Sequence, residues 1–198
     1  MKAYILAGGS GSRLSPEKGF LALGGETILD RVRAAAEPLA AETVLVGAGE
    51  RLKETGLRVI RDEVAGGGPL AGVCAALADA APDEALILPW DAPFITTPVL
   101  QYLWEAQGSA DAVVPKRGEE AEPLFALYGP RCIGPAHRAL AAGRRRVIAF
   151  YDEVVVRWVG EDELQSFAEW DVLFFNINTP EDLERAHEIA RSTIGGQS

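Results

Sequence analysis

Short apolar, β-branched runs alternate along this chain with longer segments whose apolar positions recur at helical spacing. Strands are predicted over Lys2–Leu6, Thr43–Val46, Leu57–Arg61, Ala85–Leu88, Asp111–Pro115 and Val154–Val159. Helices are predicted over Thr27–Ala41, Pro69–Ala80, Thr97–Gln107, Pro130–Ala142 and Pro180–Arg191. Strands alternating with helices of this length give an α/β architecture, a mostly parallel sheet covered by helices. Thr97 before Pro98 reads as a helix cap followed by a first-turn proline. Thr179-Pro180-Glu181-Asp182 repeats that arrangement with acids in the first turn, where they complement the helix dipole. Lys116–Tyr128 carries Gly118 and several charges, so it reads as a hairpin or loop insertion rather than a domain boundary. No repeat or linker interrupts the pattern. One domain over 1–191 with a flexible tail over 192–198 is expected.

Composition narrows the class. Hydrophobic residues make up 48% and charged residues 24% of 198 positions, ordinary for a globular chain that buries its own core. A formal net charge of −10 argues against broad nucleic-acid or anionic-membrane binding, since such a surface repels both. A few local cations still suffice for a nucleotide. Cys74 and Cys132 are too far apart in sequence for a CxxC-type metal site and read as small reduced core residues. His137 and His187 form no HxxxH or HExxH pattern, which leaves metal-hydrolase and histidine-nucleophile chemistry without support. Met1–Leu6 enters a strand directly with no signal-peptide pattern, and no window is apolar enough to span a membrane. The expected location is cytoplasmic.

After the first strand the chain turns small: Leu6, Ala7, Gly8, Gly9, Ser10, Gly11, Ser12, then Arg13 and, farther on, Lys18. Glycines let backbone N–H groups approach a polyphosphate, and two fixed cations beside them suit a triphosphate. Alone, the same run is equally a strand-to-helix turn with nothing bound. It is not a P-loop, because Lys18 follows Glu17 and precedes Gly19, and the GxGxxG fingerprint fails at Leu14.

Asp91 follows the strand Ala85–Leu88, at the carboxyl end of the sheet where open α/β folds place ligand chemistry. A carboxylate facing a triphosphate there is a hard oxygen ligand for Mg²⁺, the expected metal; in isolation it also reads as a turn cap. Gly66-Gly67-Gly68-Pro69-Leu70-Ala71-Gly72 is a second glycine-rich turn opening a helix, a weak signal alone.

Together these segments resemble the molybdenum cofactor guanylyltransferases (the MobA type) of the sugar-nucleotide and cofactor nucleotidyltransferase family. Leu6 to Leu14 with Lys18 is similar to the LAGGxSxRMG…K signature, departing where Leu14 and Ser15 replace Met-Gly. Pro89–Phe94 is similar to CDxPxI with Trp90 in place of cysteine, and Gly68 to Gly72 to GPLxG. Glu122–Tyr128, Gly143–Val147 and Asn176–Leu183 look like later family segments, in the family's order, so the resemblance runs from about Met1 to Ala186. It implies a three-layer Rossmann-like nucleotidyltransferase fold. It also implies a GTP site over Leu6 to Arg13 with Lys18, Asp62, Gly68, Pro69, Leu70, Gly72 and Asp91. Arg13, Lys18 and Asp91 would be catalytic, with Asp91 on the metal. Arg144, Arg145 and Arg146, otherwise a solvated helix end, and Asn176 and Asn178, otherwise turn residues, would hold the anionic acceptor.

The reaction so implied is in-line attack by the terminal phosphate of molybdopterin, with or without molybdenum, on the α-phosphorus of GTP. Transient contact with other molybdenum cofactor biosynthesis or acceptor proteins goes with it. Gly9 leans the base toward guanine, because cytidylyl relatives read LAAG. Val46-Gly47-Ala48-Gly49 lacks the asparagine that guanylyl members often carry, so CTP stays open. A sugar-phosphate or phospholactate nucleotidyltransferase is a rival reading; a non-catalytic GTP-binding or cofactor-carrier protein is another.

Overall fold

The computed structural model of the chain describes residues 1–8, 18–62, 64 and 66–195. In chain order its strands and α-helices are β1 (Lys2–Ala7), β2 (Ala22–Leu23), β3 (Glu26–Thr27), α1 (Ile28–Ala36), β4 (Thr43–Gly47), α2 (Glu50–Lys53), β5 (Arg58–Ile60) and α3 (Gly68–Ala80). There follow β6 (Ala85–Pro89), α4 (Thr97–Glu105), β7 (Ala112–Arg117), β8 (Glu120–Ala121), β9 (Ala126–Tyr128) and α5 (Ile133–Ala141). The chain ends with β10 (Val156–Gly160), α6 (Glu161–Leu164), α7 (Trp170–Leu173) and α8 (Pro180–Gly195). Single 3₁₀ segments cover Lys18–Phe20, Pro130–Cys132 and Val147–Glu153.

The sheet runs β10-β7-β9-β6-β1-β4-β5, with β8 paired to β7. β1, β4, β5 and β6 pair in parallel, as do β7 and β10. Between them β9 runs antiparallel to both β6 and β7. The segment expected as an insertion is therefore a hairpin, β7–β8, followed by a strand that returns into the sheet.

Alternation along β1 divides its side chains between two cores. Ala3, Ile5 and Ala7 join Leu29 and Val32 of α1 and Val99 and Leu103 of α4 on one face. Tyr4 and Leu6 join Leu70, Val73 and Leu77 of α3 and Ala136 of α5 on the other. The result is the expected three-layer α/β fold. A third cluster seats Ala186 and Ala190 of α8 and Ile177 on Leu23 and Ile28. This contact steers the chain after α7 back across the carboxyl edge of the sheet.

Helix starts follow local chemistry. Thr27 and Asp30 form a reciprocal capping box at α1. Thr179 Oγ1 accepts from Asp182 N at 3.1 Å at the start of α8, as expected. At α4 the expectation is corrected: Thr96 is the cap, and Thr97 lies inside the first turn. Its hydroxyl donates to the Ala35 carbonyl at 2.9 Å, so a tertiary contact claims the group a cap would use.

At the amino edge, Asp79 on α3 accepts from Tyr4 Oη and from both terminal nitrogens of Arg58, each at 2.7 Å. Arg58, with help from Tyr4, holds the Asp79 carboxyl well below the usual carboxylate range. A depressed carboxylate stabilises the fold above its unfolded value of about 4, and the contribution fades as pH falls below it. The Tm gap between wild type and Asp79→Asn is thus expected to be widest near pH 7 and to narrow below about pH 4. A gap constant across that range would contradict the assignment. Among the described residues no helix is long and apolar enough to cross a membrane.

Candidate active site

Three elements converge at the carboxyl edge of β1 and β6. β1 ends at Ala7, and Trp90 N donates to the Leu6 carbonyl at 3.3 Å, holding the turn after β6 against it. Chain connections leave β1 toward β4 on one side while β6 lies on the other, so the two strand ends part and open a crevice. Asp91 stands at that opening.

Lys18 comes from the 3₁₀ turn beyond the glycine-rich loop and is only 6% exposed. Its Nζ donates to Asp91 Oδ2 at 2.6 Å and to Asn178 Oδ1 at 2.8 Å. A buried ammonium needs such oxygen partners, since desolvation without them costs several kcal/mol. Gly19 lies against Trp90: a Cβ on Gly19 would sit 2.5 Å from the indole Cε3. Trp90, the departure from the cysteine motif, packs into the core and meets Phe20 edge-on at 6.0 Å.

The asparagines arrive through Ile177, whose N–H donates to the Asp91 carbonyl at 2.9 Å and whose side chain is buried. Anchoring the middle residue leaves Asn176 and Asn178 beside Asp91, where both line a cavity of about 280 Å³. Asn178 N also donates to Asp182 Oδ2 at 2.9 Å, tying the segment to α8. Lys18, Asp91 and Asn178, read from distant parts of the sequence, are thus in direct contact.

Other expected residues fall around this group. Leu6 and Ala7 are buried at the end of β1, and Gly8 is exposed. Gly9, Ser10, Gly11, Ser12 and Arg13 lie outside the described residues. Gly68 has φ +66°, a backbone that favours glycine, and Leu70 N donates to the Arg145 carbonyl at 3.2 Å. A Cβ on Gly72 would press Leu6 Cδ2 at 3.1 Å, so glycine lets α3 approach β1. Pro69 and Asp62 are exposed. The three arginines are exposed and diverge in use. Arg144 Nη1 donates to the Ala149 carbonyl at 2.9 Å, Arg145 docks its backbone on α3, and Arg146 lines a cavity of about 500 Å³ with Pro69.

Sequence reasoning gave no role to Glu122, although it lies in a motif-bearing stretch. Burial, reinforced by Glu120 and opposed by Arg117, pushes its carboxyl up to about 7. Arg117 and Arg185 beside Asn176 were missed as well. Hydrophobic patterning carries no sign of which charged residue folds inward, so only the Glu122-Pro123 pair was legible.

Among the described residues no cluster of three or more His, Cys, Asp or Glu forms a ready metal cage. The available donors are hard: the Asp91 carboxylate, its side chain 14% exposed, and the Asn178 amide oxygen. One carboxylate completed by substrate phosphates is how Mg²⁺ is commonly held, so these residues fit that ion.

Known proteins similar to this chain point to one family. A relative from Pelotomaculum thermopropionicum, named "Probable molybdenum cofactor guanylyltransferase", is 39% identical over 194 residues, covering 98% of this chain and 95% of its own. One from Desulfosudis oleivorans, named "Molybdenum cofactor guanylyltransferase", is 34% identical with 92% of each chain covered. The crystal structure of molybdopterin-guanine dinucleotide biosynthesis protein A from Archaeoglobus fulgidus matches with a TM-score of 0.81 and 31% identity, over 97% of this chain and 100% of that one. The model of the MobA-like NTP transferase domain matches residues 3–155. With its carboxyl-edge site and these full-length likenesses, the chain belongs to the MobA-like NTP transferase family.

Proposed function

We propose that this protein is a molybdenum cofactor guanylyltransferase, moving GMP from GTP to the terminal phosphate of molybdopterin. The observation that carries this reading is the meeting of Lys18, Asp91 and Asn178 at the mouth of the β1–β6 crevice, with Lys18 Nζ 2.6 Å and 2.8 Å from the two side-chain oxygens. The likeness to proteins named for this activity supplies the substrates.

In the reaction an acceptor phosphate oxygen forms a bond to the α-phosphorus as the α–β bridging bond breaks, and pyrophosphate leaves with the electron pair. The acceptor is already an anion at neutral pH, so the site needs no strong general base. Catalysis of this kind is positioning and neutralisation of charge. Lys18, held in place by Asp91 and Asn178, supplies a fixed positive charge beside the polyphosphate. Arg13 and the backbone donors from Gly8 to Ser12 are the expected partners of the same phosphates. Asp91, with the Asn178 oxygen beside it, would hold Mg²⁺. The bound ion would supply charge neutralisation across the phosphate oxygens. GTP is preferred over CTP on this reading because the loop reads Leu6-Ala7-Gly8-Gly9 where cytidylyl relatives read LAAG, with a bulkier alanine.

Purified protein supplied with Mg²⁺, molybdopterin and GTP, CTP or UTP in turn tests the reading. Pyrophosphate release is expected with GTP at least about tenfold faster than with CTP, the scale set by one well-placed contact. Release with sugar phosphates but not with molybdopterin would overturn it.

A further inference from the structure

Beyond Asp91 the crevice does not end. The cavity of about 280 Å³ that holds Asp91 shares Glu122 and Asn176 with a second of about 440 Å³, walled by Trp170, Phe175, Arg117 and Arg185. The cavity beside Pro69 and Arg146 also reaches Glu122, the one residue common to all three. Its backbone is pinned there: Glu122 N donates to the Pro115 carbonyl at 2.9 Å, and its carbonyl accepts from Phe125 N at 3.0 Å.

The polar groups at this junction are mismatched in a way that describes a ligand. Among the described residues no donor reaches the Glu122 carboxyl. Arg117 is the nearby cation, yet its guanidinium is committed to Asp171 at 2.8 Å and Glu161 at 3.7 Å. Asn176 Nδ2 donates to the Phe174 carbonyl at 3.2 Å, which fixes the amide orientation and leaves Oδ1 enclosed without a donor. The enclosed Asn176 oxygen without a donor is costly, and its normal explanation is a partner that arrives; the half-buried Glu122 carboxyl beside it is open to the same partner. Burial has already raised the carboxyl to about 7, the environment of a group awaiting a donor rather than one already paired.

We infer that Glu122 and Asn176 Oδ1 form a recognition pair for a 2-amino-4-oxopyrimidine edge, taking its ring N–H and its amino group, and that the ring belongs to the pterin of the acceptor. The inference rests on the proposed function for the presence of a pterin. Guanine carries the same edge. The two cavities that join at Glu122 and Asn176 are lined from the β7–β8 hairpin and α7 side, with neither Leu6–Gly8 nor Gly68–Gly72 among their walls. The aromatic walls Trp170 and Phe175 suit a flat heterocycle, and the route back along the cavity leads a phosphate tail to Asp91. Glu122 acts here as a specificity residue, remote from the reacting phosphorus.

The test compares the full-length wild type with Glu122→Gln, which keeps the shape but removes the charge and turns one of the two acceptor oxygens into a donor. The KM for molybdopterin is expected to rise about tenfold or more while the KM for GTP stays within about twofold. In parallel, wild-type protein is titrated with free pterin and with lumazine, in which a carbonyl replaces the amino group. Pterin should bind about tenfold tighter, and Glu122→Gln should erase that preference. A rise confined to the GTP KM would assign the pair to guanine and overturn the inference, as would equal KM values for both proteins. Should the variant not fold, equal wild-type affinity for pterin and lumazine overturns it alone. Absence of guanylyl transfer by wild type would sink the proposed function, while the pterin–lumazine comparison still decides this pair.

Discussion

Asp91→Asn is expected to lower the rate of nucleotide transfer by on the order of 10²–10³-fold while the protein still folds. The substitution keeps the side chain's shape and an oxygen, and removes the charge. Lys18, 6% exposed, then keeps two neutral oxygen partners in place of a carboxylate at 2.6 Å. A charge-assisted hydrogen bond is worth about 1.5–3 kcal/mol, so some loss of Tm accompanies the loss of rate, without collapse. The diagnostic feature is metal dependence. Wild type should bind GTP more tightly with Mg²⁺ than without, and Asp91→Asn should lose most of that difference. Wild-type rates, or an unchanged Mg²⁺ effect on GTP binding, would remove Asp91 from the metal-holding role.

Gly19→Ala is the second large effect. The added methyl would lie 2.5 Å from Trp90 Cε3 and 2.9 Å from Cδ2, in a ring packed into the core and only 5% exposed. Overpacking of this kind costs about 1–3 kcal/mol, or roughly 2–10 °C of Tm in a chain of this size. Relief can come only by moving the indole or the turn that carries Lys18. A shift of the order of 1 Å at Lys18 should slow transfer by about 10–100-fold. Adding Trp90→Cys, the residue in the related motif, should restore much of the rate by making room for the methyl. A single variant with wild-type Tm and rate would show that Gly19 does not set the position of Lys18.

Much of this was legible because the signals were local. Short continuous apolar runs marked β1, β4 and β6, and the glycine loop with Lys18 and Asp91 marked one edge of the sheet before any contact was visible. The touch of Lys18 on Asn178 was not legible, since it depends on Ile177 and α8 closing back over the β2–β3 hairpin. The antiparallel return of β9 was hidden because its residues, Ala126–Tyr128, are a three-residue run buried on both faces. The four-residue helices α2, α6 and α7 are too short to show a period. The role of Glu122 was not legible because a half-buried carboxylate goes against the ordinary preference of its type, and functional sites are where such contradictions gather.

The central claim concerns which phosphorus is attacked and by what. GTP labelled at the α-phosphate, and separately at the γ-phosphate, incubated with the protein, Mg²⁺ and molybdopterin, addresses it directly. The account predicts that the α label enters the molybdopterin product while the γ label leaves as pyrophosphate. Transfer of the γ label to the acceptor, or release of labelled GMP with none joined to molybdopterin, would contradict it.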